Sequence, residues 1–449
     1  MGRSFFVRLF LAALVVRLLV LAASYVAPRQ LAVRDYAANR TGCPMNWHYV
    51  SRRPQCVVLA EDEMAYDALG RSIAAGRGYR VDQGWMLARP GEPTAYGNFL
   101  YPAFVGGVYF LARDSVLVLL VVQSLVGALA VCGMAAAAHR LGGPGAARWA
   151  GILGTVHPGL ALDSAWVMSE ALALPLLVAA YLIWVRYLDR PTARSACLFG
   201  AVGVAACLTR STAVLGLVLM VAASVVRVGW RRGQAIRHLT AALAVAALCV
   251  APWAARNARL FHAAVPLDTK AGTNLWLFNH PSPAPYREAW TDELNPDPPP
   301  GPTPGLNEAQ ADARFRRLAL AYAEDHPATV AGVSALRLGL ALVPVPRYWG
   351  RWPLVRLAAT LAYIVLTWVA LAGLWMTRRT PAGRALGGFV IAWLLMMCLT
   401  SPGLRHRLAA EWAFAVAASV PVATYLVRRA ASAPGRVAAL GAAGVEPSR

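Results

Sequence analysis

Residues 61–67 carry four carboxylates, Glu61, Asp62, Glu63 and Asp67, in a chain with 22 acidic residues against 43 basic ones. The stretch around them, EDEMAYDALGRSIAAGRGY (61–79), has apolar residues at helical spacing and a stop signal at Gly76 and Gly78. On such a helix Asp62, Tyr66, Leu69 and Ile73 share one face, and Glu63, Asp67 and Arg71 share another. Acids in a first helical turn are favoured by the helix dipole, and Asp67–Arg71 has the spacing of a surface pair; for Glu61 and Asp67 that explanation is sufficient. Asp62 and Glu63 invite a chemical one. The helix is followed by TAYGNFLYPAFVG (94–106), in which Tyr96, Tyr101 and Pro102 lead back into apolar sequence. An ionised, positioned carboxylate there can take a proton from a polar acceptor while a second substrate stays anchored in lipid.

The elements that must position these residues are membrane helices. Of the 449 residues 58% are hydrophobic and 14% charged, too apolar for an ordinary soluble enzyme of this size. The apolar residues fall in runs, at 5–27, 116–138, 165–185, 238–254, 354–376 and 408–427, and about 20 such residues cross a bilayer. Large soluble cores would need polar stripes that these runs lack. The chain is expected to be an all-α polytopic membrane protein. The first run contains Arg17 and no small-residue cleavage site before Pro28, so it is expected to be a retained helix, not a signal peptide.

Charge gives the threading. Arg3 and Arg8 precede the first helix and place the N-terminus in the cytoplasm. Residues 28–98 and 256–330 then form two long loops outside. If the short pieces 99–112 and 331–345 enter the membrane without crossing it, roughly ten full crossings and two partial ones result. Two of the full crossings fall near 149–162 and 165–185, and others at 195–208, 211–226 and 386–400. Residues 281–305 hold too many prolines for a helix or a central strand. Residues 307–325 have helical spacing, with Asn307 as N-cap, and read as a helix on the membrane surface. Residues 1–430 are expected to form one membrane domain, and 431–449 a disordered cytoplasmic tail.

The net charge of +21 is nearly all arginine; Lys270 is the only lysine. The arginines sit mostly at helix ends, where they orient helices or meet headgroups. No aromatic-plus-basic module for nucleic acid is visible. Of seven cysteines, Cys43 and Cys56 lie together in the first loop. They are candidates for a disulfide if the loop is outside the cytoplasm, two free thiols being the alternative. The eight histidines are scattered, without metal-ligand spacing. Neither a GxxxxGK[ST] phosphate loop nor a GxSxG elbow occurs.

Taken in order, EDEMAYDALGRSIAAGRGY, PTAYGNFLYPAF, SEALALPLL, CLTRSTAVL, APWAARNARLF, GTNLWLFNHP and RHRLAAEW resemble the GT-C superfamily of integral membrane glycosyltransferases. More narrowly they resemble its protein O-mannosyltransferase and aminoarabinose (lipid A) transferase group. The resemblance spans about residues 5–425; it rests on order and spacing, not on one motif. It implies a bundle of about 10–13 transmembrane helices with short juxtamembrane helices in the first external loop. It also implies transfer, with inversion, of a sugar from a polyprenyl-phosphate carrier to an acceptor outside the cytoplasm. On that likeness Asp62 is the general base, Glu63 its neighbour and Tyr66 a packing or hydrogen-bonding residue one turn on. No cofactor is implied, and no metal. The chain departs from the group in having Ala after RHRL, where Pro is frequent, and YGNF where a Lys or Arg is frequent. Both departures touch the donor headgroup.

The leaving phosphate of such a reaction needs positive charge nearby. Arg256 at a helix end is the first candidate, with Asn257 beside it, and Arg405 and Arg407 match the family's late Arg pair. An arginine fork holds phosphate through two bonds. The bland reading of each is an arginine facing headgroups. Glu170 and Arg210 lie within apolar segments, where charges face a cavity or a partner. They are candidates for substrate contact or for pairing with each other; Tyr96 and Tyr101 are candidates at the re-entry. The competing reading is a lipid-linked-sugar flippase or another transporter. That reading would put its key charges at mid-membrane, and the lack of an internal repeat weakly disfavours it.

Overall fold

In the computed structural model the long apolar runs form α-helices, which in lipid satisfy their own backbone hydrogen bonds. The structure describes residues 1–38, 62–82, 84–225, 232–279, 302–343, 353–400 and 403–431. Cys43, Cys56, Glu61 and the tail beyond Ala431 lie outside them, as does the side chain of Arg405. Helix α1 is Arg3–Ala38, α2 Asp62–Ala74, α3 Leu100–Ala112, α4 Val116–Val156 and α5 Pro158–Leu162. Next come α6 Glu170–Asp189, α7 Ala193–Thr209, α8 Ala213–Val225, α9 Arg232–Phe261 and α10 Ala271–Phe278. The last five are α11 Glu308–Asp325, α12 Pro327–Leu342, α13 Pro353–Thr377, α14 Pro381–Leu399 and α15 Leu404–Ala431.

Among the described residues seven helices are long and apolar enough to cross a membrane: α1, α4, α6, α9, α13, α14 and α15. Four shorter apolar helices, α3, α7, α8 and α12, accompany them. Their outward faces are hydrocarbon. Along α1, Val7, Leu11 and Val15 are exposed while Ala13, Arg17 and Leu21 are buried, a pattern suited to a lipid solvent.

Several boundaries differ from the sequence reading. Helix α4 runs past the expected end at 138 and breaks at Gly142 and Gly143. Gly143 takes φ 73° and ψ −163°, a conformation that glycine adopts without a side-chain clash, and Pro144 starts the next helical piece. That piece returns antiparallel: Gly154 lies against Met134 and Val131. It ends at Val156, not at 162, because His157 is extended and Pro158 begins α5. The expected crossing at 165–185 starts instead at Glu170, after a 3-10 turn at Asp163–Ala165. An acid in that first turn suits the helix dipole. The start of α11 is as expected: Asn307 and Gln310 form a capping box.

The main core lies where α4, α6, α14 and α15 meet, around Trp393, Trp412, Phe389, Phe414 and Tyr181. A second core lies outside the bundle's middle. It joins α2 and the loop after it to the end of α9 and the start of α11, through Leu69, Tyr79, Tyr96, Trp253, Val265 and Ala311. Helix α2 reaches this core by lying tightly on α3. A Cβ on Gly70 would collide with Val105, and one on Gly106 would meet Ile73 at 2.7 Å. That glycine contact fixes the height of the acidic first turn.

Candidate functional site

Asp62 opens α2 and is half-buried. Its Oδ1 accepts a hydrogen bond from the Trp85 indole N–H at 3.0 Å. Trp85 stands on a tight turn closed by reciprocal backbone bonds with Ala88, 3.1 and 2.9 Å. Tyr66, one turn along from Asp62, is buried and meets Trp85 and Tyr101 edge-on at 5.5 and 5.0 Å. Tyr96 meets Trp85 from another side at 5.0 Å.

The ammonium of Lys270 sits among these rings. Its Nζ lies 4.2 Å from the Trp85 ring centre, 4.9 Å from Tyr96 and 5.8 Å from Tyr66. Ring faces attract a cation through their quadrupole. No ion pair to this ammonium occurs among the described residues. Its backbone is fixed: the Lys270 N–H donates to Asp268 Oδ1 at 2.9 Å, and Asp268 Oδ2 accepts from Asn98 at 2.6 Å. The YGNF motif carries no cation of its own, and the chain's single lysine arrives beside it from the second long loop. Sequence reasoning noted Lys270 as unique but did not count it as a site residue. Trp85 carried no signal beyond being an aromatic near a turn.

The other carboxylates of α2 are differently engaged. Glu63 Oε1 accepts from the Val167 N–H at 2.8 Å, which ties α2 to the segment before α6. Asp67 is buried, held by both arms of Arg71 at 2.8 and 2.9 Å and by the Tyr109 hydroxyl at 2.6 Å. It pairs with Arg71 as the spacing suggests, but not as a surface pair: Asp67 is buried against α3 and also holds the Tyr109 hydroxyl.

The candidate arginines are bound by the protein itself. Arg256 Nη1 donates to the Thr94 carbonyl and to Asn257 Oδ1, both at 2.8 Å, and lies over Trp253 at 4.7 Å. Asn257 is fully buried and donates to the Val265 carbonyl at 3.0 Å. Arg407 is fully buried: its Nε lies 2.6 Å from Glu411, and Nη1 donates to the Ala341 carbonyl at 2.9 Å. Glu411 stands within the RHRLAAEW motif yet was not singled out. Arg210 pairs with Glu170 at 2.5 Å and also donates to the Ser169 hydroxyl at 3.2 Å. Tyr101 is buried and donates to Gln123 at 2.7 Å. Near Glu170, burial first and then Glu170's charge push Asp163 well above the usual carboxylate range, against the pull of Arg17 and Arg210.

Only one of these clusters sets a carboxylate and a lone cation against the same aromatic wall. Asp62, Tyr66 and Tyr96 are brought together there; Arg256 and Asn257 brace the loop behind, and Glu170, Arg210 and Arg407 lie in other clusters. Chemically, the wall can hold an anion near Lys270 while Asp62 receives a proton.

No family model matches the chain, and no curated protein matches it in sequence. Solved structures do. The apo oligosaccharyltransferase of Archaeoglobus fulgidus is 15% identical, with TM-score 0.51, over 98% of this chain and 52% of that one. The same organism's AglB with an inhibitory peptide and a dolichol-phosphate gives 14% identity and TM-score 0.47, over 98% and 52%. ArnT from Cupriavidus metallidurans bound to undecaprenyl phosphate gives 14% and 0.39, over 88% and 77%. The chain spans about half the length of the oligosaccharyltransferase chains. At such identity the first likeness shows the fold alone: the chain is a multi-pass membrane protein, helical through its described residues, with the fold of the part of that oligosaccharyltransferase it spans.

Proposed function

We propose that the protein is an inverting glycosyltransferase that moves a sugar from a polyprenyl-phosphate carrier to an acceptor on the extracytoplasmic face of a cell membrane. The observation that carries this reading is the shared indole: Trp85 donates to Asp62 at 3.0 Å and lies 4.2 Å from Lys270. A base and a cation on one wall are the two groups that such a transfer needs. The GT-C-like fold and the arginines Arg3 and Arg8 in the first turns of α1 agree with it.

In the proposed step the acceptor hydroxyl gives its proton to Asp62, and its oxygen attacks the anomeric carbon. The bond from that carbon to the phosphate oxygen breaks on the opposite face. The phosphate leaves on its lipid with the electron pair, next to Lys270. A compact ammonium acts there as a point charge, and in a site that excludes water it stabilises the departing anion more than it would in solution. Trp85 fixes one Asp62 oxygen through its indole N–H. The reading requires no metal, because the cation is a side chain.

The test is transfer from a polyprenyl-phosphate sugar in membranes carrying Asp62→Asn. Transfer should fall by about 10²–10⁴-fold, the range of general-base catalysis, while binding of the lipid phosphate persists. Undiminished transfer would remove Asp62 from the mechanism. Lipid movement without any sugar transfer by the unaltered protein would favour the transporter instead.

A further inference from the structure

Tyr96 and Lys270 come from different long loops, and one carboxylate fastens both. Glu308, the first residue of α11, accepts from the Thr94 hydroxyl at 2.6 Å and from the Ala95 N–H at 2.9 Å. It also accepts from the Thr269 hydroxyl. Ala95 immediately precedes Tyr96, and Thr269 immediately precedes Lys270. A backbone bond from Thr269 N–H to the Ala95 carbonyl, 3.2 Å, adds a rung between the two strands of chain. Thr94 is gripped from other sides: its carbonyl accepts from Arg256, and its hydroxyl also accepts from the Tyr96 N–H at 2.9 Å.

A bland account exists. Acids are favoured in a first helical turn, and Glu308 stands in one. But Asn307 and Gln310 already cap α11, and both Glu308 oxygens point at the two loops. Burial raises its pKa, and the bonds from Thr269, Thr94 and Ala95 only partly offset that. A carboxylate kept in so desolvated a place, with three converging donors, suits a clasp.

We infer that Glu308 is a positioning residue: it sets the gap between the Tyr96 ring and the Lys270 ammonium, and thereby the affinity for a lipid-borne phosphate it does not touch. The inference rests on the transferase reading and names a device within that site.

The experiment measures binding of a polyprenyl phosphate to the full chain in detergent. Glu308→Ala should weaken binding about tenfold, the effect of losing one or more hydrogen bonds of ordinary strength. Glu308→Gln keeps a carbonyl for the Ala95 N–H and should stay within about threefold of the original. In a Lys270→Met background, Glu308→Ala should add nothing, since residues acting through one group are not additive. Should Glu308→Ala fail to fold, Thr269→Val removes a single donor. It should weaken binding by a few-fold in the original chain and not at all beside Lys270→Met. Unchanged binding in Glu308→Ala, or a further loss on top of Lys270→Met, overturns the inference alone. No binding by the unaltered protein overturns the transferase reading along with it.

Discussion

Two kinds of charge lie in this molecule. Inside the bundle, Arg407 and Glu411 meet at 2.6 Å with both side chains fully buried, and Arg210 meets Glu170 at 2.5 Å. At the second core, Lys270 faces aromatic rings, and no ion pair to it occurs among the described residues. A buried ion in a dry interior needs an opposite charge and matched hydrogen bonds. The bundle pairs meet that need internally, so their positive charge is already neutralised. Aromatic faces compensate a cation only in part, and in the proposed reaction that remaining charge meets the phosphate. Among the described residues, the site is therefore distinguished by a cation without an ion pair.

The sharpest way to break this comparison is to exchange the two kinds of charge experimentally. Asp62→Asn should produce the largest loss of transfer, about 10²–10⁴-fold, with the melting temperature nearly unchanged. Glu411→Gln should do the reverse. Leaving Arg407 buried without its partner costs about 3–5 kcal/mol of stability, to be read as lost folded protein in detergent, and Arg407→Met added to it should recover part of the loss. Lys270→Met comes next: binding of a polyprenyl phosphate should weaken by roughly 10-fold or more, as for a lost charged hydrogen bond, with stability little altered. Lys270→Arg should restore only part of it, since a planar fork does not replace a point charge.

The smallest effect concerns pH. The carboxyl of Glu308 titrates above its ordinary value because of burial. The folded state therefore holds that proton more firmly than the unfolded chain. Its contribution to stability is fully present below the unfolded pKa, about 4.3, and is lost as pH rises through the folded one. Glu308→Gln should remove that step from a plot of melting temperature against pH.

The membrane character was legible because hydrocarbon runs have no other soluble use; the crossings were less so, since α7 and α8, read as full crossings, are among the shorter apolar helices. Boundaries were less legible. In Ala/Gly-rich sequence the turn at Gly142–Pro144 competes with equally apolar neighbours, and the contact of Gly154 with Met134, which decides it, is a packing fact. In the site, Asp62 and Tyr66 could be read from helical spacing because they lie one turn apart. Trp85, Lys270 and Glu308 could not. Trp85 and Lys270 come from segments without periodicity, Glu308 opens a helix whose spacing gives no hint of its loop partners, and the three meet only when the two long loops fold together. The uniqueness of Lys270 was the one available signal. Arg210 was read as a charge facing a cavity or pairing with Glu170, and that pair forms; Arg256 and Arg407 were read as phosphate or headgroup contacts, and protein groups hold them instead.

The central claim is best tested by crosslinking a polyprenyl phosphate with a photoreactive group near its phosphate to the full chain, then mapping the labelled peptides. The account predicts label on the segments around Trp85 and Lys270, and its loss in Lys270→Met. Label concentrated near Arg407 or Arg210, and indifferent to Lys270→Met, would contradict it.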